Sequence, residues 1–274
     1  MIDVNRRVLP GFGLSLGYTM LYMSFMVAVP LAAGFYKASS LTFADFTRAA
    51  FSDRALAAYW LTVWTSFTSA VVNVIFGGLV AWVLVRYEFP LKRFFDSLVD
   101  FPFALPTAVA GLVFGSLLVQ GGWYGRYLVP LGIQGAYSRL GIVIVLVFIG
   151  FPFVVRTLQP VLESLERDIE EAAACLGANR LQTFGRVILP AITPALITGF
   201  ALAFARSLGE YGSVVFISGN MPYRTEIAPV LVVNRLEEFA YGEAAAIACV
   251  LLTISFLTLL IINLLERWSS RHHG

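Results

Sequence analysis

Stretches that lack charge divide this chain into blocks. Runs without any Asp, Glu, Lys or Arg cover residues 8–36, 55–85, 101–125, 140–155, 187–205 and 244–265, and polar segments separate them. A helix rises about 1.5 Å per residue and needs roughly 20 residues to cross the hydrocarbon of a bilayer. Five of the runs reach that length. The fourth, 140–155, is shorter, but Arg139 and Arg156 flank it, and long basic side chains carry their charge back toward an interface. The pattern predicts an all-α integral membrane protein with six transmembrane helices, near 12–36, 58–85, 98–119, 139–158, 190–217 and 243–265. Together they form one membrane domain over 1–274. Arg6 and Arg7 ahead of the first run mimic a secretory signal, but signal cores span about 7–15 residues and this run is far longer, so a retained helix is expected.

Composition agrees with that pattern. Hydrophobic residues make up 58% and charged residues 13% of the chain, about half the charged share of a soluble domain. An even number of spans puts both termini on one side, and Lys and Arg choose which. Eleven fall on the side of the termini and seven on the other, with Arg206 inside a span, so both termini are expected in the cytoplasm. Cys175 and Cys249 lie in different compartments of this topology and imply no disulfide framework. A formal net charge of +2 gives no reason to expect a nucleic-acid partner.

The polar segments differ in character. Between the first two spans, Phe43, Phe46 and Ala50 recur at helical spacing, which suggests an interfacial helix. The third span opens with DFPFALPTAVAG, where two prolines precede Thr107, Ala108, Ala110 and Gly111. Proline frees backbone carbonyls that protein or water must meet within a membrane. Pro106 and Thr107 therefore mark either a kinked helix packed through small residues or a lining of the pathway. The loop 219–244 carries two prolines and mixed charge, with an apolar run at 229–233 suited to re-entry or to a partner.

The segment 163–190 is unusually polar for this chain. Acidic residues crowd 163–171, Ala172–Leu176 continues a helical pattern, and Gly177 stops it at a position where a left-handed residue is common. Asn179 with Gln182 three positions on reads as a capping box for a second helix, and Leu181, Phe184 and Ile188 fall on one face of it. Two short helices meeting at an elbow are marginal alone, so the membrane or a partner must hold them.

These residues carry a family resemblance. Glu171, Ala172 and Ala173, then Gly177 after three residues, then Val187-Ile188-Leu189-Pro190 after nine more, resemble the EAA loop of bacterial ABC-importer permeases, with valine where isoleucine is usual. Downstream, FARSLGEYGSVVFISGNMP and the later EIAP and INLLERW segments are similar to the sulfate/thiosulfate permeases, to the T-type rather than the W-type sister. Molybdate permeases share the GE[YF]G core. The resemblance implies the type I ABC-importer permease fold, with the loop as a cytoplasmic coupling helix seated in a separate ATPase. It assigns ATPase coupling to Glu171, Ala172, Ala173, Gly177, Asn179, Leu181, Phe184 and Pro190. It also implies a W-type permease as heterodimer partner, two ATPase subunits using ATP and Mg, and a periplasmic sulfate-binding protein docking on 219–244. No cofactor or metal is expected on this chain, which lies in the bacterial inner membrane in contact with lipid.

The residues themselves add chemistry. No G-x-x-x-x-G-K-[ST] occurs, so no P-loop cradles ATP phosphates here, and the chain is expected to be a transport subunit rather than an enzyme. Arg206 and Glu210, four residues apart inside the fifth span, face one side of a helix. Intramembrane charges pair with one another or face a cavity, so the two are either an ion pair fixing register or a contact for a permeating anion. Ser207 and Ser213 are candidates for a gate, since hydroxyls can hydrogen-bond an oxyanion without holding it too tightly. A secondary transporter would need more intramembrane carboxylates and an internal repeat, and a membrane enzyme would need a nucleophile, base or metal cluster; neither pattern is present.

Overall fold

The computed structural model describes residues 12–271, and its elements are helical throughout. Arg6 and Arg7, which entered the charge count, lie outside the described residues. In chain order the helices are α1 (Phe12–Ser39), α2 (Phe43–Ala50), α3 (Asp53–Arg86), α4 (Lys92–Val99), α5 (Phe101–Ala104), α6 (Thr107–Leu118) and α7 (Gly125–Leu128). They continue with α8 (Arg139–Ser164), α9 (Arg167–Cys175), α10 (Arg180–Thr183), α11 (Leu189–Leu208), α12 (Val214–Ile217), α13 (Ala228–Glu237) and α14 (Tyr241–Arg271). Among the described residues five helices are long and apolar enough to cross a membrane: α1, α3, α8, the α10–α11 rod and α14.

The third predicted span is built differently from the others. Its apolar helix α6 has only 12 residues and is separated from α4 and α5. Leu105 is extended at φ −87° and ψ 127° because it precedes Pro106, whose ring disfavours the helical region for the residue before it. α8 runs longer than its charge-free core predicted. Within that longer helix, Asp96 and Asp100 of the α4–α5 segment meet the Arg156 guanidinium at 2.7 and 2.6 Å.

The centre of the bundle is α3 packed on α8, with α11 laid across both. Lipid tails are as apolar as leucine, so helix association in a membrane relies on close packing and hydrogen bonds rather than on burial from water. Small residues supply that closeness. A Cβ added at Gly77 would lie 3.2 Å from Val154, and one at Gly199 would lie 3.1 Å from the Val154 Cα. α3 also carries a buried polar row, Thr62, Thr65, Ser66, Ser69 and Asn73, along its protein-facing side. Thr62 accepts a hydrogen bond from the Ala228 N–H at 2.8 Å and so ties α13 to the bundle.

The run 229–233 does not stand free. Val230 and Leu231 are buried in α13 against α3 and α14, and Ile227 just before it is buried as well. Glu226 anchors this segment: Arg54 grips its carboxylate with two bonds of 2.7 Å, and Asn234 donates a third at 2.9 Å. At the same end of the bundle, α2 is capped by Thr42, whose side chain accepts from the Asp45 N–H, and it lies on its Ala50 side with Phe43 exposed.

Candidate functional site: a coupling elbow and an intramembrane ion pair

Two groups of residues carry the chemistry, one beneath the bundle and one inside it. The first is the elbow. Glu166 is extended, α9 then runs through Glu171, Ala172 and Ala173, and Gly177 turns the chain at φ +83°, a value that glycine adopts without a Cβ penalty. The N–H of Ala178 donates to the Ala173 carbonyl at 3.1 Å and that of Gly177 to Ala174 at 2.9 Å, closing the end of α9. Asn179 and Gln182 form the reciprocal capping box, each side chain accepting the other's backbone N–H at 2.9 Å.

The second limb is not a free helix. After α10 the chain makes one π-helical turn, Phe184–Ile188, and passes directly into α11, with Pro190 as the second residue of α11. π-turns insert one residue per turn and frequently mark functional joints. The face expected from Leu181, Phe184 and Ile188 is divided accordingly. Ile188 is buried, Phe184 packs edge-on against Trp82 of α3 with ring centres 6.1 Å apart, and Leu181 is 83% exposed. Leu176 at the bend is 90% exposed. Sequence periodicity pointed to Leu181 but not to Leu176, which caps α9 at its C-terminal end; both are exposed.

The second group lies where α11 ends. Arg206 Nη1 meets Glu210 Oε2 at 2.6 Å; Glu210 is 3% exposed and Arg206 is 35% exposed. The other carboxylate oxygen accepts the Ser213 N–H at 2.9 Å, so Glu210 closes the turn between α11 and α12 as well as neutralising Arg206. Ser207 is buried and its hydroxyl lies 3.3 Å from that of Ser69 on α3. Ser213 is fully buried, and its hydroxyl has no partner among the described residues.

The N-terminus of α6 meets this turn. A Cβ added at Gly212 would lie 2.5 Å from the Thr107 hydroxyl, and one at Gly111 would overlap the Ser213 carbonyl. Thr107 therefore joins Arg206, Ser207, Glu210 and Ser213 in one neighbourhood, while Pro106 stays exposed at its edge. Among the described residues no group of His, Cys, Asp and Glu has the arrangement of a metal site. A single charge-neutral pair beside hydroxyls can orient a passing anion but is poor material for holding a dianion tightly.

With this geometry in view, comparison with known proteins is informative. Residues 73–271 match the family model of the binding-protein-dependent transport system inner membrane component. The chain is 50% identical over 254 residues to the sulfate transport system permease protein CysT of Synechocystis sp., covering 93% of this chain and 89% of that protein. It is 47% identical over 262 residues to the protein of the same name from Salmonella typhimurium, covering 96% and 95%. Among solved structures, a bacterial ABC transporter involved in the import of the acidic polysaccharide alginate superposes with a TM-score of 0.74 at 16% identity, over 93% of this chain and 94% of that one. A methionine ABC transporter in inward-facing conformations gives 0.58 at 16% identity, over 78% and 95%. These two structural likenesses establish the fold: that of an ABC-importer permease.

Proposed function

Since the chain belongs to the family of binding-protein-dependent transport system inner membrane components, we propose that it is the T-type permease subunit of an ATP-driven sulfate and thiosulfate importer. The relatives just described are named for sulfate, which favours sulfate over molybdate as the oxyanion. In this reading a W-type sister permease completes a heterodimer, and two ATPase subunits supply the energy from ATP and Mg. A periplasmic binding protein delivers the anion to the face carrying 219–244. Both termini and the elbow lie in the cytoplasm.

The observation that carries the reading is the elbow: a capped, polar bend that leaves Leu176 and Leu181 uncovered on a bundle otherwise wrapped for lipid. Uncovered apolar side chains rimmed by polar ones mark a protein contact. Because the second limb continues into α11, a push on Leu181 travels along one rod to Arg206 and Ser207. Nucleotide drives the cycle only by binding the outward-open and inward-open arrangements with different affinity. Selection of the dianion falls to the binding protein, while Arg206, Ser207, Ser213 and Thr107 offer weak contacts during passage.

Crosslinking tests this. Cysteine placed at Leu176 or Leu181 in the assembled complex should capture a nucleotide-hydrolysing subunit, and cells carrying the chain should take up labelled sulfate in a manner that requires ATP. Failure of both positions to crosslink, with sulfate uptake intact, would refute the coupling role.

A further inference from the structure

The elbow has a second attachment that neither its sequence motif nor its continuity with α11 supplies. At the last turn of α3, Arg86 Nη2 lies 2.6 Å from Glu170 Oε1 in α9. The same nitrogen approaches the Leu165 carbonyl, in the link between α8 and α9, at 3.5 Å. One turn earlier on α3, Trp82 stacks under the Arg86 guanidinium at 5.4 Å and meets Phe184 of the π-turn at 6.1 Å. Two residues one turn apart on one helix thus touch both limbs of the elbow.

An arginine at the membrane end of a helix ordinarily extends into water. Arg86 does not: its side chain is only 11% exposed, and that of Glu170 is 30% exposed. Each charge also suits its own helix end, a cation in the last turn of α3 and an acid in the first turn of α9. The contact is a one-pronged ion pair without hydrogen-bond geometry: neither Glu170 Oε1 nor Arg86 Nε has a hydrogen-bond partner among the described residues. Beside the joint, an apolar groove of about 400 Å³ lies among α3, α8 and α11, lined by Gly78, Trp82, Leu158, Phe184 and Ile192.

We propose that Trp82 and Arg86 form a clamp that divides elbow motion between α11 and α3, so that both walls of the Ser69–Ser207 contact move when the elbow is pushed. Arg86 and Trp82 are positioning residues: they touch neither nucleotide nor anion. The inference rests on the coupling reading above, because a clamp on the elbow matters for transport only if force enters there.

The test uses the complete complex in lipid vesicles and reads sulfate moved per ATP hydrolysed. Arg86→Glu should lower that ratio about tenfold while a Leu181→Cys crosslink to the ATPase persists. Combining Arg86→Glu with Glu170→Arg should restore it to within about threefold of the parent; the swap sets both charges against their helix ends, so complete recovery is not expected. A swap no better than the single change would overturn the clamp, as would a normal ratio in Arg86→Glu. Should Arg86→Glu fail to assemble, Arg86→Gln, Glu170→Gln and their double mutant decide the matter: losses smaller together than in sum support the pair, and strictly additive losses reject it. Loss of the crosslink in the parent complex would sink the coupling reading itself, whereas an intact crosslink with an indifferent clamp sinks only this inference.

Discussion

Glu210 is the residue on which most depends locally, because it does two jobs with one carboxylate. It neutralises Arg206 through Oε2 and holds the Ser213 N–H through Oε1. Glu210→Gln keeps an acceptor for the backbone but leaves Arg206 without its counter-charge. Removing one partner of a fully buried pair costs about 3–5 kcal/mol, and Arg206 is one-third exposed, so a smaller loss of about 2 kcal/mol is expected. Thermal unfolding of the purified variant measures it; an unchanged midpoint would argue against a structural pair. The i, i+4 spacing suggested the pairing, but the helical reason for it does not hold: α11 ends at Leu208 inside the expected span 190–217, and Glu210 reaches Arg206 from the turn beyond the helix. The second job was not legible, because it depends on the break at Gly209, after which the chain folds back onto its own carboxylate.

At the scale of elements, the tie between the α4–α5 segment and the C-terminal half of α8 joins charges from distant parts of the chain. Arg156 bonds both oxygens of Asp100 at 2.8 and 2.6 Å, and Gln159 donates to Asp96 at 3.0 Å. The Asp96 carboxyl is held below its ordinary value of 3.8, chiefly by the Gln159 hydrogen bond and further by Arg156 and Lys92, against the opposing effect of partial burial. A lowered carboxylate pKa contributes stability that is complete above the unfolded value and is lost only as pH falls through the folded one. Amide exchange in α4, corrected for intrinsic rates, should therefore keep constant protection from neutral pH down to the ordinary aspartate range and lose it below. Gln159→Leu should move that loss to higher pH; protection already fading near about pH 6 in the parent would contradict the assignment. Sequence reading took Arg156 as a flank of the fourth apolar run and did not pair it with Asp96 or Asp100, because nothing local pairs residues some sixty positions apart. A lone arginine in an apolar stretch was the available signal that a carboxylate must lie nearby.

At the scale of the whole molecule, the fold puts one free thiol on the elbow and hides the other. Cys175 ends α9 and is exposed, whereas Cys249 is buried in α14. A maleimide probe should label Cys175 rapidly and Cys249 slowly in the isolated subunit, and assembly with the ATPase should protect Cys175 at least tenfold. Equal labelling of Cys175 before and after assembly would place the contact elsewhere. Chain order alone was enough to specify the helical class, long apolar helices near 12–36, 58–85 and 243–265, and the elbow with its glycine turn and capping box, because each follows from periodicity or from contacts within a few residues. Tertiary packing decided the rest: where Pro106 divides the third apolar run, how Arg156 and Arg86 stay within the protein, why 229–233 is covered, and that Thr107 meets Gly212. Those outcomes depend on which distant helix supplies a counter-charge or accepts a close approach, and no local spacing encodes that choice.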